Sequence, residues 1–227
     1  MTHADFSVVA IKYGQTTLPE RMVFADRSES ETRLPISLTL YLIETDGRKI
    51  LVDAGCDTMP RYVLEHHISP AEALRRYGVL PEEITDVILT HSHHDHIEAV
   101  HYFTNATVHI QAGECEVARE RGYLPETLTV LPFEETREIC GVRVVRFGGH
   151  TPGSAIVTFA HEGREYVICG DECYHRRCLA EKRPTGNSRN PARSRAFVEI
   201  YGNENYTVLL AHDGDILPGG NGSVKII

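Results

Sequence analysis

The stretch Thr90-His91-Ser92-His93-His94-Asp95-His96 constrains this chain more than any other. Six consecutive residues hold four histidines and one carboxylate, directly after the largely apolar run 84–89. β-Branched and aliphatic residues crowd Asp86-Val87-Ile88-Leu89-Thr90, and Pro81-Glu82-Glu83 punctuates its start, so a strand is predicted there. If the backbone stays extended past Thr90, a period of two places His91, His93 and Asp95 on one face. His96 then follows on a bend, and His94 faces away. Imidazoles and a carboxylate converging on so small a volume suit one or two metal ions. Zinc, iron and manganese all accept such donors, and zinc is the usual partner of open, imidazole-rich sites. A solvated polar loop is the competing reading. A purification-tag-like run would sit at a terminus and lack the aspartate.

At 227 residues the chain fits one domain, 1–227, large enough to bury roughly 70% of its unfolded surface. A net charge of -9 argues against nucleic acid or an anionic membrane as a partner of the whole surface. No apolar run approaches a membrane span, and Met1 to Phe6 lacks the basic and apolar regions of a signal peptide. A cytoplasmic location is expected. The six cysteines (Cys56, Cys115, Cys140, Cys169, Cys173 and Cys178) are therefore read as thiols, and no C-x-x-C pair suggests a zinc knuckle.

The first half reads as strands: Phe6 to Tyr13, Ile36 to Ile43, and Lys49 to Asp53 returning across an Asp46-Gly47 hairpin. Met59 to Tyr77 reads as helical, broken at Ser69-Pro70, where Ser69 can cap a helix begun by Pro70. After the histidine motif come a strand at 107–111, a helix at 114–121, a strand at 142–147 and a hairpin of 155–159 with 165–169. A helix at 191–201 and a strand at 207–211 complete the pattern, with no repeats and no linker. His91, His150, Asp171 and His212 each lie just beyond a short apolar run. Polar side chains at the ends of rigid strands are what a functional site requires, and the set argues for one more strongly than any member does.

The order His91-x-His93-x-Asp95-His96, then Gly149-His150-Thr151-Pro152-Gly153, then Gly170-Asp171, then His212 resembles the metallo-β-lactamase superfamily. So does the lead-in Leu51-Val52-Asp53-Ala54-Gly55. The resemblance covers nearly the whole chain and implies an α+β fold, an αβ/βα four-layer sandwich of two packed mixed β-sheets flanked by helices. It also implies two divalent metal ions, zinc in the first instance with iron or manganese as alternatives. By position, His91, His93 and His150 would hold one metal. Asp95, His96 and His212 would hold the other, and Asp171 would bridge both. Asp53 would hydrogen-bond a ligand histidine.

Within the superfamily the chain is most similar to the N-acyl homoserine lactonases, through Leu80 to Val87 and through Asp171-x-x-Tyr174. It departs from them in having Glu98 and Ala99 where glycines are usual and Ser154 after Thr-Pro-Gly. The resemblance implies a small-molecule substrate, a lactone or other carbonyl ester, attacked by a hydroxide shared between two metals. Asp95, Asp171 and Tyr174 are the expected catalytic residues. Asp171 would steer the proton toward the leaving alkoxide, and the Tyr174 hydroxyl would stabilise the oxyanion. Secreted β-lactamases, glutathione thiolester hydrolases and flavodiiron proteins match less well. Between 176 and 195, seven basic residues stand against the single acid Glu181, a stretch that could border the cleft and draw in an anionic substrate. It motivates a phosphodiesterase or other phosphoryl hydrolase as the alternative to a lactonase. A non-catalytic metal-binding protein is a third class.

Overall fold

The computed structural model describes residues 6–27, 29–214 and 220–227. Met1 to Asp5, part of the stretch weighed as a signal peptide, lie outside the described residues. The first sheet begins with β1 (Ser7–Pro19), followed by the short helix α1 (Glu20–Val23) and by β2 (Arg33–Thr45), antiparallel to β1. β3 (Arg48–Val52) returns along β2 after two residues. Asp46 and Gly47 make that turn with φ of +48° and +72°, a left-handed pair that matches the twist of adjoining strands.

β3 then passes to three parallel strands, which need crossovers rather than hairpins. α2 (Pro70–Tyr77) leads to β4 (Asp86–Leu89), α3 (His94–Ile97) to β5 (Thr107–Gln111), and α4 (Ala112–Glu120) to β6 (Thr129–Phe133). Ser69 caps α2 by accepting from the Glu72 N–H at 3.1 Å, Pro70 occupies its first turn, and Gly78 ends it at φ +103°. A meander of β7 (Thr136–Ile139), β8 (Val142–Arg146), β9 (Ala155–His161) and β10 (Arg164–Ile168) builds the second sheet. Beyond α5 (Arg176–Ala180) and α6 (Pro191–Tyr201), β11 (Tyr206–Leu209) joins β10 in parallel. β12 (Gly222–Lys225) closes back onto β1, giving sheets of seven and five strands among the described residues.

Alternation along the strands decides the layering. Val8 and Ala10 of β1, with Ile43, Ile50 and Ile88, meet Val142, Val144, Val157 and Ile168 between the sheets. Val9, Ile11 and Tyr13, one residue out of phase, join Leu51, Val87 and Ile110 against Leu74 of α2, Ile97 of α3 and Ala118 of α4. On the other outer face Ile156 and Val167 pack with Cys178 of α5 and Phe197 and Val198 of α6. The result is the expected α+β four-layer sandwich. Because the central strands are covered on both faces, they read in sequence as nearly unbroken apolar runs.

The segment before Ser69 departs from expectation: 59–69 carries no helix. Gln15 and Glu65 exchange backbone hydrogen bonds of 3.0 and 2.9 Å, which hold the segment extended against β1. Arg61 and His66 adopt φ of +75° and +50°, incompatible with a helix. Tertiary pairing overrides helical propensity there. No helix among the described residues is long and apolar enough to cross a membrane.

Candidate metal centre

The strand ends of both sheets deliver their polar residues to one place. His91 follows β4 after Thr90, His150 lies between β8 and β9, Asp171 is on the turn after β10, and His212 follows β11. The β4 loop is held to its neighbours by backbone and side-chain bonds. Asp53, at φ +61°, accepts from the Thr90 N–H at 2.8 Å, while the Thr90 carbonyl accepts from Ala155 of β9 at 2.8 Å. Gly170, at φ +52°, abuts the Thr90 side chain so closely that an added Cβ would stand 2.9 Å from it. That contact seats Asp171 beside the histidine motif.

Ligand atoms of His91, His93, His150 and Asp171 lie within 4.8 Å of one another, and those of Asp95, His96 and His212 form a second such group. All seven candidate residues are thus brought together. The period-two expectation holds for His91 and His93 but not for Asp95. The chain turns into α3 at His94, so Asp95 and His96 reach the second group from a helical turn rather than an extended strand. His94 points elsewhere: its ring nitrogens lie 2.9 Å from the Tyr123 hydroxyl and 2.8 Å from the Thr58 carbonyl.

Asp171 spans the two groups. Its Oδ1 lies 3.0 Å from Nε2 of both His96 and His212, while Oδ2 lies 3.3 Å from His150 Nε2 and 3.7 Å from His91 Nε2. Oδ1 is nevertheless buried without a hydrogen bond, an orphaned acceptor facing two ring nitrogens. In the first group the His93 Nδ1 stands 3.0 Å from His91 Nε2 and 2.8 Å from His150 Nε2. Nitrogen lone pairs and carboxylate oxygens crowded around common points fit a divalent cation in each group.

The opposite edge of four of the five rings is fixed. Nδ1 of His91 lies 3.1 Å from Thr90 Oγ1, that of His96 2.8 Å from Asp53 Oδ2, that of His150 2.6 Å from the Asn187 carbonyl, and that of His212 2.9 Å from the Ser37 carbonyl. Partners of this kind set the tautomer and leave Nε2 turned to the centre. The Asp53 contact is the one expected from the sequence. Ser37 and Asn187 act through backbone carbonyls, which no residue type announces.

Two buried glutamates hold the loops. Glu114 of α4 accepts from the Ser92 N–H and hydroxyl at 2.9 and 2.5 Å on Oε2, and from the Thr151 hydroxyl and Gly153 N–H at 2.5 and 3.2 Å on Oε1. It therefore ties the His91–His93 loop to the His150 loop. Glu172 accepts from the N–H groups of Gly149 and His150 and from the Ser154 hydroxyl, at 3.0, 3.1 and 2.5 Å. A Cβ at Gly149 would collide with the Glu172 carboxylate, so a larger residue there would have to push that side chain off its hydrogen bonds. Ser154, a departure from the lactonase pattern, thus has a defined partner. Sequence reasoning missed both glutamates; the one available signal was an acid directly after the ligand candidate Asp171.

Charge and burial act in opposite senses on the two groups. Burial, with the His96 ring beside it, holds His91 well below the ordinary imidazole range, and burial with His150 lowers His93. Burial would lower His96 too, but Asp171, Asp53 and Asp95 outweigh it and raise that ring well above the ordinary value. Asp171 likewise raises His212 against its burial. Burial opposes ionisation of Asp171, yet the rings of His96, His212 and His150 keep its carboxyl well below the usual range.

Tyr174 is buried with its hydroxyl at the centre. It donates to Asp171 Oδ2 at 2.7 Å and accepts from the Asn187 amide at 3.0 Å, while its ring stacks on His212 at 5.3 Å. Burial and then Asp171 push its pKa well above the ordinary phenol value, so it keeps its proton. His93 and Asp95 are the partly exposed members of the two groups and mark the open side. Cys173 is a buried thiol that donates to the His175 carbonyl rather than facing the centre. The basic stretch is largely tied down. Arg176 pairs with Asp213, Arg177 with Glu181, and Arg183 with Asp26, each at 2.7 Å, and Lys182 donates to the Val198 carbonyl.

Comparison with known proteins agrees with this architecture. Residues 37–198 match the family model of the metallo-beta-lactamase superfamily. A probable metallo-hydrolase of Mycobacterium tuberculosis is 27% identical, over 78% of this chain and 74% of that protein. The N-acyl homoserine lactonase AiiB of Agrobacterium fabrum is 25% identical, over 81% of this chain and 82% of its own. Among solved structures, a quorum-quenching N-acyl homoserine lactone hydrolase superposes with a TM-score of 0.78 at 22% identity, covering 94% of this chain and 93% of that one. The dizinc quorum-quenching lactonase AidC gives 0.74 at 14% identity, covering 99% and 95%. With two mixed sheets, a His/Asp dimetal site at their ends and a family match across most of its length, the chain is a metallo-hydrolase that belongs to the metallo-beta-lactamase superfamily.

Proposed function

We propose that this hydrolase opens a lactone ring, of the N-acyl homoserine lactone kind or a close relative. His91, His93 and His150 would hold one metal and Asp95, His96 and His212 the other, with Asp171 shared between the two groups and zinc the metal best suited to these donors. When bound, two such ions supply a hydroxide nucleophile at neutral pH and polarise the carbonyl. The observation that carries the reading is the Asp171 carboxylate, whose two oxygens face the two groups while Tyr174 donates to one of them. Both side chains are buried, so their proton transfers are shielded from bulk water.

The chain's own residues divide the work. Asp95, at the open side, would orient the attacking water. Asp171 would steer the water's proton toward the ring oxygen, which takes it as the new C–O bond forms and the acyl C–O bond breaks, giving a hydroxy acid. The Tyr174 hydroxyl donates to the developing oxyanion. Asn187 already donates to the phenol oxygen, which leaves the phenolic hydrogen free to point at Asp171 or at substrate. The lactonase relatives support this chemistry, as does the self-pairing of most of the basic stretch, which leaves less free charge for phosphoryl chemistry. A hydrolase panel on metal-quantified protein tests the proposal, comparing acyl homoserine lactones, simple γ- and δ-lactones, thiolesters and bis-p-nitrophenyl phosphate. Lactone turnover should lead by at least tenfold in kcat/KM. A phosphodiester or thiolester leading instead would reject the substrate class while keeping the metal centre.

A further inference from the structure

Five of the seven basic residues between 176 and 195 have partners within the fold: Arg176, Arg177, Lys182, Arg183 and Arg193. Arg193 and the neighbouring Arg189 line a single cavity of 410 Å³ together with Arg146. That volume lies in the range of about 300–1,000 Å³ typical of small-molecule sites. Three guanidinium groups face one carboxylate there, Glu135, so the cavity is locally positive on a chain whose net charge is -9. Arg146 is anchored by Glu135 at 2.8 Å and by the Pro152 carbonyl at 3.0 Å, and Arg193 donates to the Phe147 carbonyl at 2.9 Å. Among the described residues the Arg189 guanidinium has no hydrogen-bond or ion-pair partner, although its backbone is firmly held. Two arginines are therefore set in place and a third is uncommitted beside them. Guanidinium groups arranged this way suit the planar or tetrahedral oxygens of an oxyanion.

The cavity shares its wall with the metal centre. Gly148 and Pro152, which flank His150 in the same loop, belong to its lining. The Arg189 N–H donates to the carbonyls of Gly149 and His150 at 3.0 and 3.1 Å, the Asn190 N–H to Gly149 at 2.9 Å, and the Ser188 hydroxyl to Gly149 at 2.7 Å. Asn187, two residues before Arg189, supplies the carbonyl that orients the His150 ring. We propose that this cavity binds a small oxyanion, carboxylate or phosphate, through Arg189, Arg193 and Arg146, and that its occupancy is transmitted through 187–190 to His150 and the first metal position. The binding does not depend on the substrate being a lactone.

Calorimetric titration with inorganic phosphate and, separately, with acetate tests the site and distinguishes the two sources of oxyanion. Metal-loaded protein, metal-stripped protein and the variants Arg189→Ala and Arg189→Ala/Arg193→Ala are compared. One anion should bind in both metal-loaded and metal-stripped protein. Its affinity should fall by roughly tenfold or more in Arg189→Ala, and further in the double variant, as expected for lost charge-assisted hydrogen bonds. Arg189→Ala removes a side chain without partners in the fold, so an unchanged melting curve should accompany the loss. Zinc affinity should differ with and without the anion, by the same factor that zinc changes anion affinity. Equal affinity in wild type and Arg189→Ala, or anion binding that vanishes on metal removal, would overturn the site. Zinc affinity indifferent to a bound anion would overturn the coupling.

Discussion

Glu114→Gln isolates the clamp that aligns the first metal group. Glu114 receives four hydrogen bonds, two on each carboxylate oxygen, from loops far apart in sequence. Glutamine keeps the shape but replaces one oxygen with an NH2, which then faces two donors. The hydroxyl of each pair, Ser92 or Thr151, can rotate to accept; the backbone N–H of Ser92 or Gly153 cannot. One charged hydrogen bond is lost outright and one buried N–H is left unpaired, each worth about 1–3 kcal/mol. Relief from burying a carboxylate with no basic partner offsets part of this, so a net loss of about 2 kcal/mol is expected. For a chain of this length that corresponds to a fall of about 4–8 °C in Tm. The defect should also be local. With cobalt as a spectroscopic substitute, the His91–His93–His150 position should weaken while the Asp95–His96–His212 position keeps its affinity. Glu114→Asp, one methylene short, should not rescue alignment, because it cannot reach both loops. A Glu114→Gln protein that melts within 1 °C of wild type (about 0.3 kcal/mol by the same conversion) and binds both metals equally well would refute the clamp.

The other expectations concern the centre itself. His150→Ala should weaken the first metal and His212→Ala the second, whereas Asp171→Asn should loosen both; competition with a chromophoric chelator reads each affinity, and an equal loss from His94→Ala would break the assignment. Tyr174→Phe keeps the ring stacked on His212 and should lower lactone kcat by about 10²–10³, the usual cost of one oxyanion donor, with metal content unchanged. The two metals should separate on acidification. In the metal-free chain, carboxylates raise His96 and His212 while burial lowers His91 and His93. A metal entering the second position must displace protons from raised histidines, so its affinity should fall first as pH drops, and proton release on zinc titration should accompany mainly that step.

Much of the site was legible in the chain because its ligands are chemically rare and lie where strands end. The run His91 to His96 and the isolated His150, Asp171 and His212 all carry that mark. The Asp46-Gly47 and Glu162-Gly163 hairpins were legible for a similar reason, since a left-handed pair of residues leaves a composition trace. Cys140-Gly141, at φ of +46° and +82°, turns β7 into β8 in the same way, but the polar strand Thr136-Arg137-Glu138-Ile139 gave no periodicity to flag it. Asp95 was placed in the wrong local structure because an extended strand and a helical turn entering at His94 leave the same residues close together. Glu114 and the carbonyls of Ser37 and Asn187 act across 22 to 175 residues of sequence, through bonds that only the folded chain brings into being.

Crystals grown with zinc and measured on both sides of its absorption edge test the central claim most directly. The account predicts two anomalous peaks, one within about 2.0–2.2 Å of nitrogens from His91, His93 and His150, the other at that distance from Asp95, His96 and His212. Asp171 should place one oxygen on each, with the Tyr174 hydroxyl still beside it. A single peak, or two peaks that Asp171 does not join, would contradict a bridged dimetal centre and the hydrolytic chemistry built on it.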